Sequence, residues 1–202
     1  PKQIEERCEE IFTIQSSALA KRFQHTGAKK AVIGISGGLD STLALLVVIR
    51  TFDMLGMDRK NIVTITMPGF GTTDRTYNNA VDLCKLLHCD FREVNIVEAS
   101  LQHFKDIGHD KDIHDVTYEN VQARERTQIL MDLANKEGGL LIGTGDLSEL
   151  ALGWCTYNGD HMSMYGVNGS IPKTLVKYLV RYVATHKMDE KAKAVLLDIL
   201  DT

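Results

Sequence analysis

Cysteine, proline and tryptophan are scarce in this chain. Its 202 residues include 4 Cys, 3 Pro and 1 Trp. The cysteines, at positions 8, 84, 89 and 155, form no CxxC pair, so we expect neither a disulfide framework nor a cysteine zinc site. Buried thiols in a reducing cytoplasm are the simplest interpretation.

Long apolar runs and an excess of positive charge are also missing. The longest apolar run, residues 43–49, is far shorter than the ~20 residues that cross a bilayer. A net charge of -4 lacks the positive field on which general nucleic-acid binding depends. With 44% hydrophobic and 25% charged residues, we expect residues 1–202 to form one globular domain with a small-molecule partner and no membrane or nucleic-acid contact.

Strand and helix patterns alternate along the chain. Short apolar or β-branched segments predict strands in AVIGI (31–35), NIVTITM (61–67), DFREVNIV (90–97) and GGLLIGTG (138–145). Helical spacing predicts helices over 3–24, 41–55, 77–87 after a cap at Thr72 or Thr73, 117–134, a segment opened by Pro172, and 192–200. The polar segment 105–120 is interpreted as a loop that gives way to the helix at about Thr117. The polar stretch 158–170 leads into the helix opened by Pro172. This alternation predicts an α/β fold with an open parallel sheet covered by helices on both faces.

A double glycine interrupts the apolar run AVIGISGGLDSTLALLVVIR, residues 31–50. Gly37 and Gly38 allow a tight turn whose N–H groups can approach a ligand closely. The turn leads into the N-terminus of a helix, so it predicts a phosphate site. The Walker pattern GxxxxGK[ST] and the dinucleotide pattern GxGxxG both fail here, because Asp40 precedes Ser41 and serine is third in GISGGL.

Asp40 would repel a phosphate unless a cation lay between them, so we expect Mg²⁺ at this position. The carboxyl ends of parallel strands meet at one edge of a sheet, so GTGDLSE should face the same crevice. Thr144 and Glu149 would then approach Asp40, and the two carboxylates are candidates to share the metal. A plain strand-to-helix turn for the loop and a surface acid for Glu149 remain as alternatives.

The segment SGGLDS resembles the pyrophosphate-binding loop of the N-type ATP pyrophosphatases, which split ATP between the α and β phosphates to adenylate an acid. Three longer segments are similar to the synthetase domain of glutamine-dependent NAD synthetases: MPGFGTTD, YENVQARERTQILMDLAN and GTGDLSELALGWCTYNGDHMSMYGVNGSIPKTLVKYLV. The resemblance covers nearly the whole chain. It implies a Rossmann-like fold of the adenine nucleotide alpha hydrolase type, and amidation of deamido-NAD by ammonia and ATP.

The resemblance also implies site residues. The ATP site would comprise Gly34, Ile35, Ser36, Gly37, Gly38, Leu39, Asp40, Ser41, Thr144 and Lys173. The deamido-NAD site would comprise Asn120, Arg124, Glu149, Trp154, Cys155, Thr156 and Tyr157. Asp40 and Lys173 would be catalytic, and Asp40 and Glu149 would bind Mg²⁺. Arg75 is a further candidate near the nucleotide.

Explanations of these residues that involve no ligand stay open. Asn120 and Arg124 lie four residues apart and share one helix face, which is equally typical of a solvated surface. Lys173 follows a proline and is equally typical of an exposed first turn. His103, His109, His114 and His161 match no metal-binding spacing, so we expect solvated loop residues.

Glutamine-dependent members of the family carry a nitrilase-like glutaminase domain and dimerise. The resemblance therefore implies that this chain is excised from a longer one, forms a homodimer, and uses free ammonia poorly and glutamine not at all. Two other functions stay possible on the residues alone. One is another ATP-pyrophosphatase amidotransferase, such as a GMP or asparagine synthetase; the other is a catalytically silent nucleotide-binding module.

Overall fold

Helices and strands alternate along residues 2–145 and 165–202, which are the residues that the computed structural model describes. The elements are α1 (Lys2–Thr26), β1 (Ala31–Gly34), α2 (Leu39–Leu55), β2 (Ile62–Thr66), α3 (Asp74–Leu86), β3 (Asp90–Glu93), α4 (Val97–Ile107), α5 (Val116–Glu137), β4 (Leu140–Gly143), β5 (Tyr165–Gly166), α6 (Lys173–His186) and α7 (Glu190–Leu200). A short 3-10 turn, Arg59–Asn61, precedes β2.

The strands form a five-stranded sheet in the order β3-β2-β1-β4-β5, and each neighbouring pair is parallel. The chain moves outward from β1 to β2 and β3, then returns to the other side of β1 for β4. The order therefore reverses between β1 and β4, and in open α/β sheets ligands bind beyond the carboxyl ends of the strands at such a point. This topology confirms the predicted Rossmann-like α/β fold.

Both faces of the central strand are buried. Ala31 and Ile33 belong to the larger apolar cluster, which also contains buried residues of α1, α2 and α6. Val32 belongs to a second cluster on the opposite face, with Leu141 of β4 and Ala134 of α5. The alternation follows from the two-residue repeat of a strand, and it confirms that helices cover both faces.

Helix α2 is buried around most of its circumference, as its nearly continuous apolar sequence predicts. Leu43, Leu45 and Val47 are fully buried, and so are the intervening residues Ala44 and Val48. No helix within the described residues is long and apolar enough to cross a membrane.

The predicted third strand is wrong in its second half. The strand ends at Glu93, and α4 begins at Val97. The side-chain oxygen of Asn95 accepts a hydrogen bond from Val97 N at 2.9 Å, which starts a helix where the β-branched residues had favoured a strand. Helix α4 then continues to Ile107, inside the polar segment that was predicted to be a loop before the helix at about Thr117.

The polar stretch 158–170, for which no strand was predicted, contains a strand in its described part. Strand β5 pairs with β4 through Ile142–Tyr165 and Gly143–Gly166. Two residues are too few to show the alternating pattern from which a strand is recognised. The pairing with β4 decides the conformation of this segment.

Glu9 joins α1 to α2 and α6 through its carboxylate. Arg50 Nη2 donates to Oε1 at 3.0 Å, and the Tyr182 hydroxyl donates to Oε2 at 2.7 Å. Lys187 Nζ lies 3.3 Å from Oε2. Burial raises the pKa of Glu9, but the hydrogen bonds from Tyr182, Arg50 and Lys187 outweigh it and lower the pKa from 4.5 to about 2.

The low pKa of Glu9 predicts a pH-dependent contribution to stability. Because the folded state favours the carboxylate, the contribution is present above pH 4.5 and is lost as the pH falls toward 2. We expect the difference in unfolding free energy between the parent chain and Glu9→Gln to shrink over that window. Urea denaturation of both proteins across the pH range measures it, and a difference independent of pH would contradict the ionic role.

Candidate active site

The loop between β1 and α2 has a glycine at the start of the helix. Helix α2 begins at Leu39, two residues earlier than predicted, and Gly38 is its N-cap. Gly38 has no side chain to satisfy the first N–H groups, and an anion is a natural partner for such a helix end. Asp40 lies in the first turn of this helix.

The hydroxyl groups of the loop define its shape. Ser36 N donates to Ser41 Oγ at 3.2 Å, and Gly38 N donates to Ser36 Oγ at 3.2 Å. Thr42 Oγ1 donates to Gly38 O at 2.7 Å. Ser41 and Ile35, both predicted in the ATP site, have side chains buried beneath the loop at 4% and 2% exposure. These exposures include the backbone, so both residues shape the loop from within.

Gly37 brings the loop into contact with α3. Its φ of +82° lies in the left-handed region, which favours glycine. A Cβ on Gly37 would lie 2.7 Å from Thr76 Cγ2 and closer still to the carbonyl oxygen of Thr76. Thr73 caps α3 by accepting a hydrogen bond from Thr76 N, which decides between the two predicted caps. The loops after β1 and β2 thus meet at the carboxyl edge of the sheet.

The structure brings together the two residues predicted to be catalytic. Lys173 is the first residue of α6, and its Nζ lies 2.6 Å from Asp40 Oδ2. The Asp40 side chain is 15% exposed and that of Lys173 is 50% exposed, so the pair lies at the rim of the crevice. A carboxylate and an ammonium group therefore flank the phosphate loop, although 133 residues separate them in the chain.

Thr144, a predicted ATP-site residue, is connected to Asp40 through Asn168. Its carbonyl oxygen accepts a hydrogen bond from Asn168 Nδ2 at 3.2 Å, and the same nitrogen donates to Asp40 O at 2.9 Å. Asn168 was missed by the sequence analysis, and so was Gln15, which donates to Asn168 Oδ1 at 3.2 Å. The Asn-Gly pair at 168–169 signals only a turn, because the bonding partners are distant in sequence.

Asn120 and Arg124 lie on α5, Asn120 half-buried and Arg124 exposed. Between them, the buried Gln122 accepts a hydrogen bond from Phe70 N at 3.2 Å. Helix α5 is thereby attached to the loop after β2. An approach of Asn120 and Arg124 to a dinucleotide stays a prediction.

Arg75 is engaged by α7. Its Nη2 and Nε lie 2.7 Å and 3.1 Å from the carboxylate oxygens of Asp198. Asn79 Nδ2 donates to the same carboxylate at 2.8 Å. Hydrogen bonds from Arg75 and Asn79 lower the pKa of Asp198 to about 2. Arg75 therefore links α3 to α7.

The expectation of solvated histidines is wrong for His109. Its side chain is 13% exposed, and Nε2 lies 2.9 Å from Asp115 Oδ1. Its ring packs 5.4 Å from that of Phe104, while the ring of His114 stacks 4.2 Å from that of Tyr118. Within residues 2–145 and 165–202, no group of three or more His, Cys, Asp or Glu side chains is placed to hold a metal ion.

Several predicted site residues lie outside the described residues. They are Glu149, Trp154, Cys155, Thr156, Tyr157 and His161. The second proposed metal ligand and most of the proposed deamido-NAD site therefore stay predictions.

The fold and the loop define a class of protein. A parallel sheet whose strand order reverses at a glycine-rich phosphate loop is typical of Rossmann-like domains of the adenine nucleotide alpha hydrolase type. A sequence model of the NAD synthase family matches residues 11–193. This chain belongs to the NAD synthase family.

Curated relatives agree with this assignment. Glutamine-dependent NAD(+) synthetase of Mycobacterium leprae is 47% identical over 208 residues, covering 100% of this chain and 31% of the relative. The protein of the same name from Mycobacterium tuberculosis is 44% identical over the same shares. The chain thus spans about 31% of the length of these relatives.

Solved structures share the fold. Glutamine-dependent NAD+ synthetase from Acinetobacter baumannii, solved in complex with ADP, superposes with a TM-score of 0.85 at 26% identity, covering 94% of this chain and 35% of that one. NH3-dependent NAD synthetase from Campylobacter jejuni superposes with a TM-score of 0.79 at 21% identity, covering 96% of this chain and 93% of that one. The second likeness is one of fold alone.

The close approach of Gly37 to Thr76 makes a testable prediction. Gly56, at the other end of α2, also has a positive φ, of +65°, but a Cβ there would meet nothing within 4 Å. We expect Gly56→Ala to cost about 1 kcal/mol of unfolding free energy for the left-handed backbone alone. We expect Gly37→Ala to cost at least about 1 kcal/mol more, because Thr76 must also move. Urea denaturation measures both, and equal losses would contradict the contact.

Proposed function

We propose that this chain is a NAD synthetase domain, which amidates deamido-NAD to NAD with ammonia and ATP. The observation that carries the proposal is the contact between Asp40 and Lys173 beside the double-glycine loop. Family membership and the NAD(+) synthetases among the relatives support it. The ADP complex of the Acinetobacter baumannii relative supports ATP as the nucleotide.

The proposed reaction has two steps, because a free carboxylate and ammonia only exchange a proton. First, a carboxylate oxygen of deamido-NAD attacks the α phosphorus of ATP, the bond to the bridging oxygen breaks, and pyrophosphate leaves. Next, ammonia attacks the acyl carbon of the resulting adenylate. The bond to AMP breaks, a proton is released, and the amide remains.

The residues of this chain contribute position and charge. The first step places additional negative charge on the leaving pyrophosphate. The backbone of Ser36–Asp40 and the N-terminus of α2 are placed to accept that charge. The Lys173 ammonium group lies at the same loop and neutralises phosphate charge directly. No protein nucleophile is required.

Mg²⁺ fits the residues at this loop. Asp40 presents a mostly buried carboxylate that already holds a cation, the Lys173 ammonium, 2.6 Å from Oδ2. Protein sites for Mg²⁺ commonly use one or two carboxylates, with phosphate oxygens and water as the remaining ligands. Asp40, with Glu149 as the predicted second ligand, would hold the ion. When bound, Mg²⁺ offsets the charge of the phosphates.

Recognition of deamido-NAD is proposed for a second set of residues: Asn120, Arg124, Glu149, Trp154, Cys155, Thr156 and Tyr157. Their match to the family segments supports this role. Their task would be to hold the acid in line with the α phosphorus, since orientation lowers the barrier of such a transfer.

We also propose that the domain belongs to a longer protein, forms a homodimer and lies in the cytoplasm. Coverage of 31% of the relatives supports a synthetase domain from a longer chain with a glutaminase domain, and the family resemblance supports a homodimer. A cytoplasmic location is supported by buried, free Cys8, Cys84 and Cys89. Burial raises the pKa of Cys84 to about 11 and that of Cys89 to about 12, which keeps these thiols protonated.

Pyrophosphate release tests the proposed function. With ATP, Mg²⁺ and ammonia present, we expect deamido-NAD to trigger release, and xanthosine monophosphate or aspartate not to do so. We expect Asp40→Asn to lower the rate at least about 100-fold without changing the urea midpoint, because charge stabilisation at the leaving group is lost. ATP binding without release would favour the silent module. Full activity of Asp40→Asn with unchanged Mg²⁺ dependence would refute the metal role.

Lys173 has a matched control on the same helix. Lys177 lies one turn further along α6 and is exposed. We expect Lys173→Met to lower pyrophosphate release about 100-fold, because one cation at the leaving group is lost. Lys177→Met should stay within about twofold of the parent rate, as a surface substitution usually does. Equal effects of the two substitutions would show that only the overall charge matters.

A further inference from the structure

Asn168 is a fully buried amide at the point where the strand order reverses. Its exposed fraction is 0%. Its Nδ2 donates to the carbonyl oxygens of Asp40, at 2.9 Å, and Thr144, at 3.2 Å. Both side-chain N–H groups are therefore used, one at the first turn of α2 and the other at the segment after β4.

The two carbonyl groups belong to segments that are otherwise diverging. The ladder between β1 and β4 pairs Ala31 through Ile33 with Leu140 through Ile142. Beyond it, the chain turns into the phosphate loop after β1 and into the segment of Thr144 after β4. The Asn168 amide joins the two segments across the opening that this divergence creates.

Gln15 fixes the orientation of the Asn168 side chain. Its Nε2 donates to Asn168 Oδ1 at 3.2 Å and to Val167 O at 2.9 Å, and Gln15 is only 7% exposed. Because Gln15 donates to the oxygen of Asn168, the nitrogen must face Asp40 and Thr144. An aspartate of the same shape has no hydrogen to donate there, so the position requires an amide.

The same turn also delivers Lys173. Asn168 O accepts a hydrogen bond from Ile171 N at 2.9 Å, and α6 begins at Lys173. Asp40 is thus contacted twice from one short segment. Asn168 binds its carbonyl group, and Lys173 binds its carboxylate at 2.6 Å.

We propose that Asn168 is a positioning residue for the phosphate loop. It sets the separation between the loop and the end of β4, and thereby places Asp40 and Lys173 for adenylation. Its effect on the reaction rests on the proposed function, whereas its effect on the loops does not. Asn168 itself is fully buried, so it acts through the groups that it binds.

The test compares two buried polar residues. Thr51 is also 0% exposed, and its Oγ1 donates to Ser16 O at 3.2 Å and Val47 O at 2.8 Å, between α1 and α2. Thr51→Val and Asn168→Ala each remove a buried side-chain donor that binds two carbonyl groups, but only the second removes contacts at the site. Hydrogen exchange of residues 36–42 and 140–145, measured without nucleotide, reports on the loops. ATP affinity and the separate kcat and KM values of pyrophosphate release report on the reaction.

We expect Asn168→Ala to speed exchange in both segments about tenfold and to weaken ATP binding about tenfold, the cost of one lost buried hydrogen bond. We expect kcat to fall further than KM changes, because alignment is lost. Thr51→Val should lower the urea midpoint without these local effects. Where Asn168→Ala does not fold, Asn168→Ser, which retains one donor, should show the same effects to a smaller degree.

Equal exchange in the two segments for the Asn168 and Thr51 variants, at matched loss of stability, would overturn the proposal. Failure of the parent chain to bind ATP would be a separate outcome. It would contradict the proposed function, while the exchange measurement would still decide whether Asn168 positions the loops.

Discussion

The burial of β1 on both faces and between two parallel neighbours is the constraint from which the site arises. A strand in this position must be apolar. At its carboxyl end, the chain leads toward β2 on one side of the sheet, while β4 lies on the other side, so an opening forms between them. Any chain that leaves β1 emerges into an opening lined by backbone groups. Gly37 and Gly38 occupy that exit, and the tight approach to Thr76 leaves no room for a side chain on Gly37.

Charge balance explains the residues around this opening. The N-terminus of α2 attracts anions, yet Asp40 places a carboxylate in its first turn. The Lys173 ammonium group offsets that carboxylate. The rim therefore carries a carboxylate, an ammonium group and the partial positive charge of the helix N-terminus within one small region. Such a region suits a ligand with both negative phosphates and a divalent cation, and suits a bare anion less well.

The supporting contacts come from elements far from the loop in sequence. Gln15 on α1 orients Asn168, and Gln122 on α5 holds the loop after β2 through Phe70. Each is a buried amide that binds backbone groups. Losing the partner of such a buried group is costly, so these hydrogen bonds favour one arrangement of the loops.

Local patterns in the sequence predicted much of the fold. Continuous apolar residues predicted β1 and α2, and the two glycines predicted the tight turn between them, because these signals depend on neighbours a few residues apart. They were wrong for 94–97, where the side chain of Asn95 starts α4, and they missed β5, which is too short to show a period.

The amino-acid sequence by itself determined that a double-glycine turn followed by an acid would come directly after the first buried strand. Only the tertiary structure decided that Lys173 faces Asp40, that Asn168 joins Asp40 to Thr144, and that Arg75 binds Asp198. The physical reason is the separation in sequence between the interacting residues. Backbone turns and burial are encoded within a few residues, whereas contacts between residues far apart in the chain exist only once the helices have packed on the sheet.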